Sequence, residues 1–306
     1  MSELGLWGIP LAMLGGAIRV STPYLFVSLG EMITEKSGRI NLGLEGVLLI
    51  GAVVGFAASI ATGSPWLGVL AAGCSGAVLG VLHSYLCSRE GVSDIAVGIA
   101  IMLFGMGLAF YLGKPYVQPE APQLPSIELG AFSSDPRVRE ALRVNGLFFI
   151  GLALVPFLSW FMKSTAWGLR LRVVGESAEA ARALGYSVEG TRMVACATGA
   201  FLGGVGGSFL SLYYPGVWSE GLSSGQGLMA VALVIFARWR PAYCLLASLV
   251  YGAAGSLGPA LQSAGIEVSH HLLGAAPAAL TLSIMIATCS RKVALRGAPR
   301  ELTFGA

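Results

Sequence analysis

The chain has 306 residues, of which 55% are hydrophobic and only 11% are charged, and its mean hydropathy is +0.75. Because soluble domains carry about 25% charged residues, this composition excludes an ordinary water-soluble protein and indicates an integral membrane protein. The net charge of +3 is too small to indicate a nucleic-acid partner. The five cysteines lie far apart without metal-ligand spacing, so we expect no metal site and no cofactor.

Glycine is unusually frequent, with 43 residues, and small residues let membrane helices approach closely. The apolar runs are long and continuous, whereas the strands of a membrane barrel give short alternating segments. The sequence therefore predicts an all-α fold, a polytopic transmembrane helical bundle that forms a single domain over residues 1–306. Its apolar runs are long enough for about nine spans of roughly 20 residues each.

In chain order, the predicted spans cover residues 9–29, 42–61, 66–86, 95–112, 146–162, 193–213, 222–237, 243–261 and 271–288. A polar, Pro-rich stretch, residues 113–145, separates the fourth span from the fifth and is predicted to be an external loop. A charged segment, residues 163–192, follows the fifth span and is predicted to lie in the cytoplasm.

Basic residues gather around two connections between the predicted spans and in the segment that follows the last span. Membrane proteins keep the Lys and Arg residues of short loops on the cytoplasmic side. Even numbers of spans separate the three clusters, so all can face the cytoplasm together, which predicts an external N-terminus and a cytoplasmic C-terminus. The clusters are Lys163, Arg170, Arg172, Arg182 and Arg192; Arg238 and Arg240; and Arg291, Lys292, Arg296 and Arg300.

Two segments interrupt the pattern of simple spans. Residues 30–46 (GEMITEKSGRINLGLEG) and 214–227 (YPGVWSEGLSSGQG) mix glycines with charged and apolar positions. Irregular backbone survives at membrane depth only where protein or a watery cavity satisfies its polar groups, and broken helices near the midplane indicate a transport site. The alternative, that both segments are ordinary surface loops, stays open at this point.

Polar side chains in the first interrupted segment are candidates for the solute path. Asn41 offers both donors and acceptors, and Glu31 and Glu45 can accept hydrogen bonds from sugar hydroxyls. The competing interpretation is structural, because Glu31, Glu35 or Glu45 can instead hold Lys36 or Arg39 in ion pairs.

Three aromatic residues near the second interrupted segment are further candidates for the path: Tyr213, Tyr214 and Trp218. Their rings can stack on a flat base or gate the outer mouth, although aromatic residues also mark membrane interfaces. The first span contains a charged residue, Arg19. Because charged side chains are costly inside a membrane, we treat Arg19 as a candidate functional residue. Asp94, at the start of the fourth span, is interpreted as a helix cap.

The charged segment contains a short Ala-rich stretch within residues 165–188 (TAWGLRLRVVGESAEAARALGYSV). The sequence predicts a helix over residues 176–184 that ends at Gly185. Such a helix would present a small apolar surface, made of Ala180, Ala181 and Leu184, to a groove in a soluble partner. An amphipathic linker that lies on the membrane surface is the alternative.

These residues resemble a known family. The run GESAEAARALGY, residues 175–186, is similar to the coupling-helix motif of ABC importer permeases, in the branch that carries ribose, nucleosides and branched-chain amino acids. Three further stretches, residues 28–52, 199–212 and 225–241, resemble segments of the nucleoside-type permeases of this branch. The matches follow the family order and cover nearly the whole chain.

The resemblance implies a permease subunit rather than an enzyme, consistent with the lack of a Walker A motif. A separate cytoplasmic ABC ATPase would hydrolyse ATP and dock on the coupling motif. A second permease subunit, identical or related, and an extracytoplasmic solute-binding protein would complete an importer in the lipid of a bacterial inner membrane. The motif positions are Gly175, Glu176, Ala180, Ala181, Leu184 and Gly185.

Nucleosides are the cargo that the resemblance favours. Riboflavin, free purines and sugars fit the same scaffold and remain alternatives. A secondary active carrier is the alternative from another class, although such carriers often show internal repeats and the sequence shows no convincing one.

Overall fold

The structure is a computed structural model and describes residues 8–131, 138–139, 142–263, 276–287 and 297–304. Its helices are α1 (Gly8–Lys36), α2 (Leu44–Thr62), α3 (Pro65–Cys87), α4 (Asp94–Gly113), α5 (Gly146–Ser164), α6 (Ala166–Glu176), α7 (Ala178–Ala183), α8 (Val188–Leu212), α9 (Gln226–Phe236), α10 (Pro241–Ser263), α11 (Ala276–Ala287) and α12 (Arg300–Phe304). A short 3-10 helix, Lys114–Tyr116, follows α4. The predicted all-α bundle is confirmed.

A small β-hairpin lies in the loop between α4 and α5. Strands β1 (Ser126–Glu128) and β2 (Arg143–Asn145) pair antiparallel. Asn145 ends the hairpin and caps α5, because its side-chain oxygen accepts a hydrogen bond from the Leu147 amide at 2.8 Å. The hairpin therefore fixes where the fifth predicted span begins.

Six of the described helices are long and apolar enough to cross a membrane: α2, α3, α4, α5, α8 and α10. The predicted count of about nine spans is not confirmed. Helix α1 has 29 residues but carries several charges, and α9 has only 11 residues. Of the last predicted span, residues 271–288, the part outside α11 lies outside the described residues, as do Arg291, Lys292 and Arg296.

Helices α2 and α8 form the centre of the bundle, with 72% of their spanning windows buried, against 28% for α4 and α5. The outer helices expose large apolar side chains such as Leu103 and Phe104, as expected for surfaces solvated by lipid. Glycines let α8 touch its neighbours. A Cβ built at Gly207 would lie 2.0 Å from the Leu48 carbonyl oxygen, and one at Gly204 would lie 2.1 Å from that of Ala72.

Helix α1 continues beyond the predicted first span and ends at Lys36. The interrupted segment predicted for residues 30–46 is therefore shorter, because residues 30–36 are helical and only residues 37–43 are irregular. Gly38 has a φ of 83° and marks the turn after α1. The second interrupted segment agrees better with the prediction, since the backbone stays irregular until α9 begins at Gln226.

The predicted helix over residues 176–184 is wrong in its start. Helix α6 runs to Glu176, the backbone of Ser177 is extended, and a separate helix α7 begins at Ala178. Ser177 caps α7 by accepting a hydrogen bond from the Ala180 amide at 3.2 Å. Gly185 has a φ of 78°, which confirms its role as the residue that stops the helix.

Candidate solute site and coupling surface

The irregular residues 37–43 run alongside the N-terminal half of α8. At the end of the bundle where α8 begins, Arg192 in the first turns of α8 donates a hydrogen bond to the Ser37 carbonyl oxygen at 3.1 Å. Further along, a Cβ at Gly203 would lie 3.6 Å from Leu44, the first residue of α2. Gly203 lies past the middle of α8. Residues 37–43 therefore extend from the start of α8 to about half the depth of the bundle, where α2 begins.

The irregular stretch before α9 reaches the same depth from the opposite end. Tyr213 follows the last residue of α8, whereas the Gly227 amide in the first turn of α9 donates a hydrogen bond to the Glu45 carboxylate at 2.7 Å. Two helix N-termini, those of α2 and α9, therefore meet inside the bundle. Broken helices whose N-termini meet near the midplane are typical of transport sites.

Glu45 joins the two interrupted segments. Its carboxylate is buried and accepts hydrogen bonds from the Ser223 hydroxyl, from the Gly225 amide at 2.9 Å and from the Gly227 amide. A negative charge at a helix N-terminus is also favoured by the helix dipole. The structure thus gives Glu45 a local structural role as the cap of α9.

Glu31 and Asn41 form the second polar contact at this depth. One carboxylate oxygen of Glu31 accepts a hydrogen bond from the backbone amide of Asn41 at 2.8 Å. The Asn41 side-chain oxygen accepts one from the backbone amide of Gly43 at 2.9 Å. The other Glu31 oxygen and the Asn41 side-chain nitrogen are buried without a hydrogen-bond partner in the part of the chain that the structure describes. Buried polar atoms are usually paired, so an acceptor and a donor remain for a further ligand.

The basic residues of the first interrupted segment bind elsewhere. Arg39 pairs with Asp94 at 2.5 Å, and Lys36 donates to the Gly297 carbonyl oxygen at 2.8 Å. The expected ion pairs with Glu31 or Glu45 are not among these contacts. The interpretation of Asp94 as a helix cap is also wrong, because Ser93 takes the N-cap position of α4 and no side chain caps it.

A cavity of about 300 Å³ lies at the end of the bundle that carries the β-hairpin. Two of the predicted aromatic residues, Tyr213 and Tyr214, line it together with Arg19. The remaining lining residues come from the loop between α4 and α5 that contains the β-hairpin, here called the hairpin loop: Gln123, Leu124, Ser126 and Arg143. The structure therefore places Arg19 beside the candidate aromatic residues, a proximity that sequence reasoning did not predict.

Trp218 is more deeply buried than the two tyrosines, although all three side chains belong to the same hydrophobic cluster. Its side chain is buried in the core, and a Cβ at Gly113, the last residue of α4, would collide with its indole ring. It does not line the cavity. The prediction that Trp218 stacks on solute or gates the outer mouth stays a prediction. In this structure the ring packs in the core, and its indole nitrogen is buried without a hydrogen-bond partner among the described residues.

The coupling motif lies at the opposite end of the bundle from this cavity. Ala180 is exposed, and Leu184 is 64% exposed. Ala181 faces inward instead, packed with Val174 and Val188, so the predicted apolar surface loses one of its three members. A substitution of Ala181 would test the packing of the segment rather than a docking surface.

The two remaining motif positions before α7 differ in exposure. Gly175 is buried, because a Cβ there would lie 2.3 Å from the Lys36 carbonyl oxygen. Glu176 is exposed and faces Arg300 at 3.7 Å. The motif therefore packs against the end of α1 on one side, and its other side is exposed to solvent.

Sequence reasoning missed several residues at the junction of α2 and α9. Ser223 and the two glycine amides hold Glu45, and Gln226 has a side-chain oxygen that is buried without a partner among the described residues. Gln226 belongs to the family-like run at residues 225–241, so the resemblance offered a signal for it. The described residues contain no group of three or more His, Cys, Asp or Glu side chains that would hold a metal ion.

The chain's similarity to known proteins identifies its family. Residues 13–288 match the family described as the permease component of the branched-chain amino acid transport system. The chain belongs to this family. It is an ABC transporter permease, and its relatives are transport components rather than enzymes.

The relatives differ in the solute that their names give. A putative glucose ABC transporter permease of Haloferax volcanii is 33% identical over 84% of this chain and 79% of its own length. A nucleoside ABC transporter permease of Lactococcus lactis is 30% identical, over 90% and 91%. A guanosine ABC transporter permease of Bacillus subtilis is 30% identical, over 78% of each chain.

Proposed function

We propose that this permease imports nucleosides, as the membrane subunit of an ATP-driven importer. The observation that carries the proposal is the similarity to the nucleoside and guanosine permeases, which extends over most of the chain. The chemistry of the junction is compatible with it. Acceptor oxygens on Glu31 and Gln226 and the donor on Asn41 suit the hydroxyls of a ribose and the polar edge of a base.

A sugar is the second candidate cargo, because the putative glucose permease is 33% identical to this chain. The two cargoes differ in their need for aromatic contact. A base offers a flat face that stacks on tyrosine rings with about 1–3 kcal/mol per base, and Tyr213 and Tyr214 line the outer cavity. These rings therefore favour the nucleoside.

In the proposed mechanism the solute enters through the outer cavity and moves to the junction of α2 and α9. A solute-binding protein delivers it on the external side, where we place the hairpin loop and the N-terminus. A cytoplasmic ABC ATPase docks on Ala180 and Leu184 at the opposite end, close to the C-terminal residues. A second permease subunit completes the pore. The basic residues Arg170, Arg172 and Arg182 at that end support this orientation.

Competition for uptake tests the cargo. Cells that express this chain with its native partners should accumulate labelled guanosine, and cells from which the gene has been deleted should not. Unlabelled adenosine or uridine should suppress this uptake, whereas glucose at the same concentration should leave it unchanged. Uptake of labelled glucose that depends on this chain, without any uptake of guanosine, would replace the nucleoside with the sugar and leave the permease assignment intact.

A further inference from the structure

We infer that Glu301 in the C-terminal helix is a positioning residue, which links the proposed ATPase-docking segment to the irregular residues at the solute site. The inference rests on the proposed docking of an ATPase on α7. Residues 297–304 lie beyond the part of the chain that matches the family, which ends at residue 288. They nevertheless contact α1, α6, α7 and α8.

Glu301 uses its two carboxylate oxygens for two different partners. One oxygen accepts from the Ala178 amide, the first residue of α7, at 2.8 Å. The other pairs with Arg192 at 3.0 Å, and the two side chains are only 28% and 11% exposed. Charge-assisted hydrogen bonds of this kind are short, directional and about twice as strong as neutral ones.

Arg192 extends the contact to the first interrupted segment. Its guanidinium also donates to the Ser37 carbonyl oxygen at 3.1 Å. Gly38 touches the same carboxylate residue, since a Cβ there would lie 2.7 Å from the Glu301 Cβ. Residues 39–40 connect Gly38 to Asn41, whose backbone amide donates a hydrogen bond to Glu31 at the candidate solute site. A continuous chain of contacts therefore runs from α7 through Glu301 to the candidate site.

A second contact strengthens the link between the C-terminal residues and this turn. Lys36, the last residue of α1, donates to the Gly297 carbonyl oxygen at 2.8 Å. Pro299 lies 3.3 Å from the position of a Cβ on Gly175, which itself is pressed against the Lys36 carbonyl. A displacement of α7 by a docked ATPase therefore moves α12, the end of α1 and residues 37–43 together, because rigid packed contacts transmit displacement.

The test compares coupling in Glu301→Ala and Glu301→Gln with the unaltered chain. Complexes purified through this chain, with the ATPase that accompanies it, are reconstituted in liposomes with the binding protein. The quantity measured is the number of guanosine molecules imported per ATP hydrolysed. We expect Glu301→Ala to lower this ratio about tenfold without reducing the amount of ATPase bound. Glu301→Gln keeps an acceptor for Ala178 but loses the charge opposite Arg192, so its ratio should be intermediate.

Arg300→Ala is the matched control, because it removes a charge from the same helix. Arg300 faces Glu176 at 3.7 Å with 76% and 57% of the two side chains exposed, and exposed pairs contribute little. Its ratio should equal that of the unaltered chain. A ratio for Glu301→Ala within about twofold of the unaltered chain would overturn the inference, whatever its effect on protein yield.

A second measurement does not depend on the cargo. Hydrogen exchange of residues 37–43 is followed in the detergent-solubilised complex, with and without ATP and vanadate. The unaltered chain and Arg300→Ala should show an ATP-dependent change there, and Glu301→Ala should lose it. Equal changes in all three would contradict the link. Absence of an ATPase from the unaltered complex would instead refute the proposed docking, so the two failures are distinguishable.

Discussion

Replacement of Glu45 by alanine is expected to abolish uptake and to destabilise the protein by about 3 kcal/mol or more. The carboxylate accepts hydrogen bonds from the Ser223 hydroxyl and from the Gly225 and Gly227 amides. Alanine leaves these three donors without an acceptor; the Ser223 and Gly227 donors are buried, and each unpaired buried group costs about 1–3 kcal/mol. The N-terminus of α9 then loses its cap, and we expect the two interrupted segments to separate at the depth of the candidate solute site.

Thermal unfolding in detergent, together with guanosine uptake, measures both effects. Glu45→Gln is the informative comparison, because an amide oxygen still accepts hydrogen bonds while the amide nitrogen repels the remaining donor. We expect Glu45→Gln to unfold between the unaltered protein and Glu45→Ala. An alanine variant with the stability and uptake of the unaltered chain would show that Glu45 does not hold α9 in place.

Gly207→Ala is expected to prevent correct packing of the bundle. The added Cβ would lie 2.0 Å from the Leu48 carbonyl oxygen and 2.9 Å from the Ala52 amide nitrogen. Both are backbone atoms of α2, so no side-chain rotation relieves the overlap and the two central helices must move apart. Overpacking costs about 1–3 kcal/mol where side chains can adjust, and we expect a backbone collision to exceed that range.

Gly107→Ala is the matched control for this prediction. Gly107 also lies in a membrane helix, α4, but a Cβ there meets nothing within 4 Å. Alanine is the better helix former by about 0.5–1 kcal/mol, so this variant should be as stable as the unaltered chain or slightly more so. Monodispersity on size exclusion and the unfolding temperature compare the two. Equal behaviour of both variants would contradict the close approach of α2 and α8.

The sequence was informative where one physical signal dominated. Long apolar runs predicted a helical membrane bundle, and the glycine- and charge-rich stretches predicted irregular backbone, which the structure places at residues 37–43 and before α9. The end of α1 was not predictable in this way. Glu31, Glu35 and Lys36 resemble a loop in composition, yet they lie in the last turns of a helix.

The reason is that their partners are distant in the sequence. The Glu35 carboxylate accepts a hydrogen bond from the Trp239 indole, and Lys36 binds the Gly297 carbonyl. The local sequence pattern gives no information on such partners, so these charged residues look like part of a surface loop. The same holds for Glu45, whose donors lie in the loop before α9 and in its first turn.

The face of α7 was unpredictable for a different reason. The helix has only six residues, so its small residues do not define a periodicity. Packing against Val174 and Val188 buries Ala181 and leaves Ala180 exposed. The family resemblance predicted where the coupling motif lies, but only tertiary contacts decide which of its side chains are exposed.

Co-purification from the native membrane tests most directly that this chain is the permease subunit of an ATP-driven importer. The chain is isolated through an affinity tag in a mild detergent and its partners are identified by mass spectrometry. We predict an ABC ATPase in stoichiometric amount with the unaltered chain, and its loss from Leu184→Asp, which places a charge on the exposed apolar tip after α7. A stable, monodisperse chain recovered without any ATPase would contradict the account.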